Sequence, residues 1–141
     1  MAATRNALRR AVRLGDGFIG AGSTTTDDFL QQARLVREEV DRTGRDPASF
    51  RVAKRVYLAV DDDAAVARER LTAALVGLYG YFGLADRISA VGVSGRPADV
   101  AAELQRIFDA GTGLLVLHPL YDEAEQMERL AAEVVPLVTA G

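Results

Sequence analysis

Short apolar runs alternate with longer stretches of helical period along these 141 residues. That alternation is the pattern of an α/β fold whose parallel strands are joined by helical crossovers. Leu8, Ala11 and Val12 share one face of a first helix, and Gly15 stops it. Gly17, Phe18, Ile19 and Gly20 then read as a short strand running into a glycine-rich turn. Thr26 is the expected N-cap of the next helix, with Asp27 and Asp28 in its first turn. Phe29, Ala33, Val36 and Val40 form the core face of that helix, and Gly44 ends it. Asp46-Pro47 opens one further turn. Residues 51–60 are the clearest strand, weighted by Val52, Val56, Leu58 and Val60. Asp61, Asp62 and Asp63 offer caps for a helix with a core stripe of Ala67, Leu71, Ala74, Leu75 and Leu78. Glycines among aromatics at 79–83 break it, and 84–95 reads as a connecting loop with some local structure. Pro97 opens a helix that turns Val100, Leu104, Ile107 and Phe108 inward and ends at Gly111 and Gly113. Residues 114–117 follow as a buried strand stopped by His118-Pro119. Asp122 is the expected cap of the last helix, with Glu125 in capping-box position and Leu130, Val134, Leu137 and Val138 on its apolar face.

Three strands with about five helices make an open arc. Crossovers between parallel strands are right-handed, so helices cover the outer face and leave the inner face and both edges open. Exposed edges invite pairing with another chain. Ile19, alternate members of 52–60 and Val116 are apolar enough to need cover, so the arc is expected to self-associate, most simply as a homodimer. The length suits a single domain over 1–141.

Composition narrows the chemistry. A net charge of -3 gives no electrostatic case for nucleic acid or an anionic membrane. The lack of cysteine excludes disulfides, thiolate metal sites and cysteine catalysis, and fits a cytoplasmic protein. One histidine forms no zinc cluster, and no apolar run reaches the roughly 18 residues of a membrane helix. The aspartates at 61–63 fit no calcium loop and read as caps, so no metal is expected.

Four groups of residues carry candidate chemistry. Gly20, Gly22, Ser23 and Thr24 lie between a strand and a helix, where backbone amides at a helix N-terminus can hold a phosphate. The same glycines also serve a tight turn. Lys54 and Arg55 are adjacent in a strand buried on both faces, so one points into the arc and the other towards the helices. Each is costly unless paired, either with a ligand anion or in an internal salt bridge, for instance with Asp16. His118 lies at the C-terminal end of its strand, where β/α barrels keep their sites. It is the candidate proton donor or ligand contact, against a structural reading beside Pro119. Tyr79, Tyr81 and Phe82 either line a ligand or partner surface or close the core.

Several segments resemble one family. Arg-Ala-Val-Arg-Leu-Gly-Asp-Gly-Phe-Ile at 10–19 resembles the approach to the sixth barrel strand of luciferase-like monooxygenases, with Phe18 where Trp is frequent. Lys-Arg-Val-Tyr-Leu-Ala-Val-Asp-Asp at 54–62 is similar to the seventh strand of their deazaflavin-dependent branch. Val91-Gly92, then Pro97 and 100–104, resemble the helix before the last strand, with extra residues around Ser94, Gly95 and Arg96. Residues 115–119 resemble the eighth strand, with His118 where Asn is common, and 122–136 the closing helix. The resemblance implies half of a TIM-type β/α barrel with three to four parallel strands and outer helices. A whole barrel takes about 250 residues, and the family's first half, with its usual catalytic base, is absent. The resemblance also implies a flavin or deazaflavin coenzyme, FMN among them, whose anionic tail would meet Gly20, Gly22, Ser23, Thr24, Lys54 or Arg55, with His118 catalytic. It implies oxidoreductase activity if the missing half is supplied by a partner. That partner is a second copy or a separately encoded half barrel. The alternative is a remnant without a coenzyme.

Overall fold

The computed structural model describes residues 2–80 and 87–139. In chain order the elements are α1 (Ala2–Leu14), β1 (Gly17–Gly20), α2 (Thr26–Arg42), a 3₁₀ turn (Pro47–Ser49) and β2 (Arg51–Val60). There follow α3 (Ala64–Tyr79), α4 (Ile88–Val91), β3 (Val93–Gly95), α5 (Pro97–Asp109), β4 (Leu114–Pro119) and α6 (Glu123–Arg129). The segment expected as a loop over 84–95 therefore contains a short helix and a fourth strand, and residues 81–86 lie outside the described part. The sequence hid β3 because three residues are too few to show a period.

All strand pairs are parallel, and β2 is in every one. Lys54 is partnered by Gly20 and by Leu115, and Leu58 by Val93 and by Pro119. A residue has one neighbour on each side, so β4 holds one edge of β2. On the other edge β1 runs beside the first half of β2 and β3 beside its last three residues. The sheet is an arc three strands wide, with β2 at its centre.

Side chains of β2 alternate between faces. Val52, Val56, Leu58 and Val60 join Leu8, Val12, Phe29, Val36, Val100, Leu104, Ile107 and Leu130 in the larger core, under the outer helices. The outer layer runs α1, α2, α5 and then the C-terminal helix, each touching the next. Tyr57 and Ala59 point the other way and pack with Ala67, Leu71, Leu75, Ile88 and Val91. Thus α3 and α4 lie on the inner face, over the C-terminal half of β2, and only the other helices are outside. The N-terminal half of that face stays open: Ile19 is 59%, Leu114 58% and Val116 41% exposed. The alternate members of β2 on the inner face are Ala53, Arg55, Tyr57 and Ala59, and its valines face the outer helices. A strand's period of two assigns sides only once a neighbour is known.

Caps explain where the helices begin. Thr25, not Thr26, caps α2: its Oγ1 accepts from the Asp28 amide at 3.2 Å. The run of threonines leaves this choice open, and the extended backbone of Thr25 decides it. Asp63 caps α3 through the Ala65 amide at 2.8 Å. Asp122 makes no capping bond; it sits in the left-handed region and its carboxylate accepts from Arg70 at 2.6 Å. Asp16 is also claimed elsewhere, by Arg45 at 3.3 Å, and Arg45 holds the carbonyls of Val12 and Gly15 at the end of α1. After α6 the helix widens to a π-type turn over Leu130–Val134 and tightens at Val135–Leu137, where Pro136 has no amide to donate. Leu137, expected on the apolar face, is thereby turned to solvent.

The last helix is tied to the centre of the sheet by one side chain. Gln126 is 4% exposed; its Oε1 accepts from the Val60 amide at 2.8 Å and its Nε2 donates to the Val60 carbonyl at 3.0 Å. Gln126→Leu leaves both backbone groups buried without partners. Each such orphan costs about 1–3 kcal/mol, so a loss of about 2–4 kcal/mol is expected in urea denaturation. A loss below about 0.5 kcal/mol would show that water or a local shift satisfies Val60 instead.

Candidate functional site

On the open face the register stacks side chains in rows. Ile19, Ala53 and Leu114 form the lowest row, Arg55 and Val116 the next, and Tyr57 and His118 the one nearest the C-terminal strand ends. Rows are about 6–7 Å apart, two residues of strand rise. An apolar floor thus leads up to a cluster of polar groups at the end of the arc where barrel sites lie.

Within this cluster the Arg55 guanidinium lies 5.2 Å from the centre of the Tyr57 ring. The Tyr57 and His118 rings are 5.2 Å apart, and the Tyr57 and Tyr79 hydroxyls share a hydrogen bond of 2.7 Å. Burial, reinforced by that hydrogen bond, pushes the Tyr57 hydroxyl up to about 12, so it stays protonated at neutral pH. Arg55 is half-buried and has no carboxylate within ion-pair distance among the described residues. A half-buried cation without an anion is costly in a sheet, and this one lies on the inner face.

The glycine-rich turn meets the cluster at one residue. A Cβ on Gly22 would lie 2.8 Å from Tyr57 Cζ and 2.9 Å from Arg55 Nε, so only glycine lets the backbone approach the guanidinium. Among the described residues the amides of Gly22 and Ser23 donate to no protein acceptor. They stand at the N-terminal side of α2, where the helix dipole favours an anion.

The remaining candidates are placed differently. Gly20 points to the helix side, where a Cβ would meet Phe29 Cε2 at 2.7 Å. Lys54 also points outward and is 2% exposed. Its ammonium donates to the carbonyls of Ala21 at 3.1 Å and Thr24 at 2.9 Å, and lies 5.1 Å from the centre of the Phe29 ring. Lys54 therefore braces the turn from behind and does not meet Asp16. Ser23 and Thr24 line a cleft of about 400 Å³ with Gln31, Gln32 and Arg87, beside an Arg87–Asp28 ion pair. Tyr57 was missed by sequence reasoning, although its position two residues after Arg55 puts both on one face. Tyr81 and Phe82 lie outside the described residues. Of the aspartates at 61–63, Asp62 pairs with Arg129 at 2.7 Å, and no metal-binding group of three or more ligands occurs among the described residues. Nor is any described helix long and apolar enough to cross a membrane.

A parallel β/α arc with a glycine-rich turn at its C-terminal end defines a partial β/α barrel. The chain belongs to the luciferase-like monooxygenase family, whose model matches residues 1–135. Among solved structures it is similar to an F420-dependent secondary alcohol dehydrogenase in complex with an F420-acetone adduct, at 19% identity and a TM-score of 0.74, over 96% of this chain and 46% of that one. It is also similar to the coenzyme F420-dependent tetrahydromethanopterin reductase of Methanopyrus kandleri, at 18% identity and a TM-score of 0.71, over 96% and 49%. The FMN complex of the oxygenating constituent of 3,6-diketocamphane monooxygenase, from Pseudomonas putida, matches at 18% identity and a TM-score of 0.62, over 94% and 45%. A search of curated proteins finds no match. The chain thus spans about half the length of these structures, and its fold is half of a TIM-type β/α barrel.

Lys54 offers a test of the braced turn. Burial, aided by the charge of Arg55, lowers its pKa from the ordinary lysine value to about 8. Between pH 8 and roughly 10.4 the unfolded chain binds more protons at this residue than the folded chain does. Its contribution to stability therefore rises with pH across that window and is constant below it. Compared with Lys54→Met by urea denaturation, the wild-type protein should gain relative stability from pH 7 to pH 10. A difference that does not change with pH would mean that the ammonium is hydrated in solution.

Proposed function

We propose that the inner face of this half barrel holds the phosphate-bearing tail of FMN or a deazaflavin coenzyme, and that a second copy of the chain closes the cavity around it. The observation that carries the reading is Arg55: a half-buried guanidinium without a carboxylate partner among the described residues, held against Gly22 and two amides with no protein acceptor. A phosphate there would accept charge-assisted bonds from the guanidinium and further bonds from the turn. Lys54 holds the turn in shape through the Ala21 and Thr24 carbonyls and does not touch the ligand. Similar structures named for F420 and for FMN support the same coenzyme class. When bound, the coenzyme supplies two-electron redox chemistry at its ring system. The protonated Tyr57 hydroxyl and the exposed His118 imidazole stand at the C-terminal end of the site, placed to donate or accept hydrogen bonds.

Fluorescence titration tests the phosphate site. FMN should bind at least tenfold more tightly than riboflavin, and Arg55→Ala should abolish that preference while leaving riboflavin unchanged. Equal affinities in the wild-type protein would remove the phosphate site. Absence of binding by FMN, riboflavin and a deazaflavin alike would favour a remnant without a coenzyme.

The second copy is supported by the exposed row of Ile19, Leu114 and Val116 and by the open outer edges of β1 and β4. Covering them requires an interface above the roughly 1,200 Å² at which stable specific contacts begin. Light scattering after size exclusion should give a dimer at micromolar concentration, and a folded monomer there would overturn self-association.

A further inference from the structure

The two ends of the outer helical layer carry opposite charge. At one end, over β1, α1 bears Arg5, Arg9, Arg10 and Arg13 and no acidic residue. At the other end, beside β4, the helix from Glu123 onward bears Glu123, Glu125, Glu128 and Glu133 against one arginine, Arg129. Arg129 is already bonded to Glu133 and Asp62. Arg10 and Arg13 are exposed and make no ion pair among the described residues; the same holds for Glu125 and Glu128. At 100° per residue, Arg10 and Arg13 lie opposite the buried Leu8 and Val12, and Glu125 and Glu128 opposite the buried Leu130 and Val134. Apolar groups lie exposed on the same two end segments: Leu14 at the basic end, and Met127, Val135 and Leu137 at the acidic end.

We propose that the second copy docks head to tail, the α1 end of each protomer against the C-terminal helix of the other, about a two-fold axis along the strands. The proposal rests on the self-association argued above and adds its direction and its contacts. A two-fold axis through either end would set Arg against Arg or Glu against Glu, and like charges facing each other oppose docking. An axis along the strands instead swaps the ends, so that each basic helix meets an acidic one. It also keeps every strand parallel. The net charge of -3 gives two copies no overall attraction, so it is the distribution of charge that selects this arrangement.

Charge reversal at each end tests it. Arg10→Glu/Arg13→Glu puts acidic side chains at the docking positions of both ends of a protomer, and Glu125→Lys/Glu128→Lys puts basic ones at both. Far-UV circular dichroism and melting temperature establish that each variant is folded. By sedimentation velocity, each variant alone should self-associate at least tenfold more weakly than the wild-type protein. An equimolar mixture should form a heterodimer, because each acidic end then meets a basic one. Variants that dimerise like the wild type, or a mixture no more associated than its components, would overturn the head-to-tail arrangement while leaving a dimer in place. A monomeric wild-type protein would overturn self-association and this arrangement together. Without any variant, raising the salt from about 0.05 M to 0.5 M shortens the screening length severalfold. It should weaken the wild-type dimer, and a salt-independent dimer would likewise count against the proposal.

Discussion

Strand β2 lies between two packed layers, and its alternation of sides sets what every other element meets. Val52, Val56, Leu58 and Val60 anchor the outer helices, while Tyr57 and Ala59 anchor α3 and α4. Because β1, β3 and β4 all pair with β2, no two outer strands support each other directly. A parallel strand covered on both faces must be apolar almost throughout, and beyond the exposed Arg51 at its start Lys54 and Arg55 are the charged departures. They fall on opposite faces for the same geometric reason, and each acquires a different role.

Lys54 shows how a buried charge becomes structural. Its ammonium is desolvated, and it recovers hydrogen bonds from two carbonyls of the turn that no strand or helix uses. The turn is thereby held with Gly22 against Arg55. Arg55 is the converse case: a cation on the inner face beside an apolar floor, without a carboxylate partner among the described residues. The ammonium and the guanidinium thus lie on opposite faces of β2, and the turn that Lys54 braces meets Arg55 at Gly22.

The inner face is divided lengthwise. Its C-terminal half is covered by α3 and α4, which seal Tyr57 and raise the pKa of its hydroxyl. The N-terminal half is bare, and the outer edges of β1 and β4 are open with it. Burying that surface is worth roughly 25 cal/mol per Å² of apolar area, which is what the proposed pairing of two copies would recover.

From sequence alone, periodicity located α1, α2, α3, α5 and the strands β1, β2 and β4, because each is long enough or apolar enough to show its period. The family resemblance reached the half barrel and the coenzyme class, which composition could not. Residue type also marked Gly22, Arg55 and His118 as candidate chemistry, since glycine, a buried cation and a strand-end histidine are unusual wherever they occur. The tertiary structure decided what period and type leave open. It assigned Lys54 to the helices and Arg55 to the cavity, because a strand's two faces are equivalent until a neighbour packs on one. It moved the cap from Thr26 to Thr25 and released Asp122 from capping, because backbone dihedrals and a distant arginine choose among equivalent side chains. It set α3 inside the arc, since the stripe of Ala67, Leu71 and Leu75 marks the side of the helix that packs and not the face of the sheet that it meets.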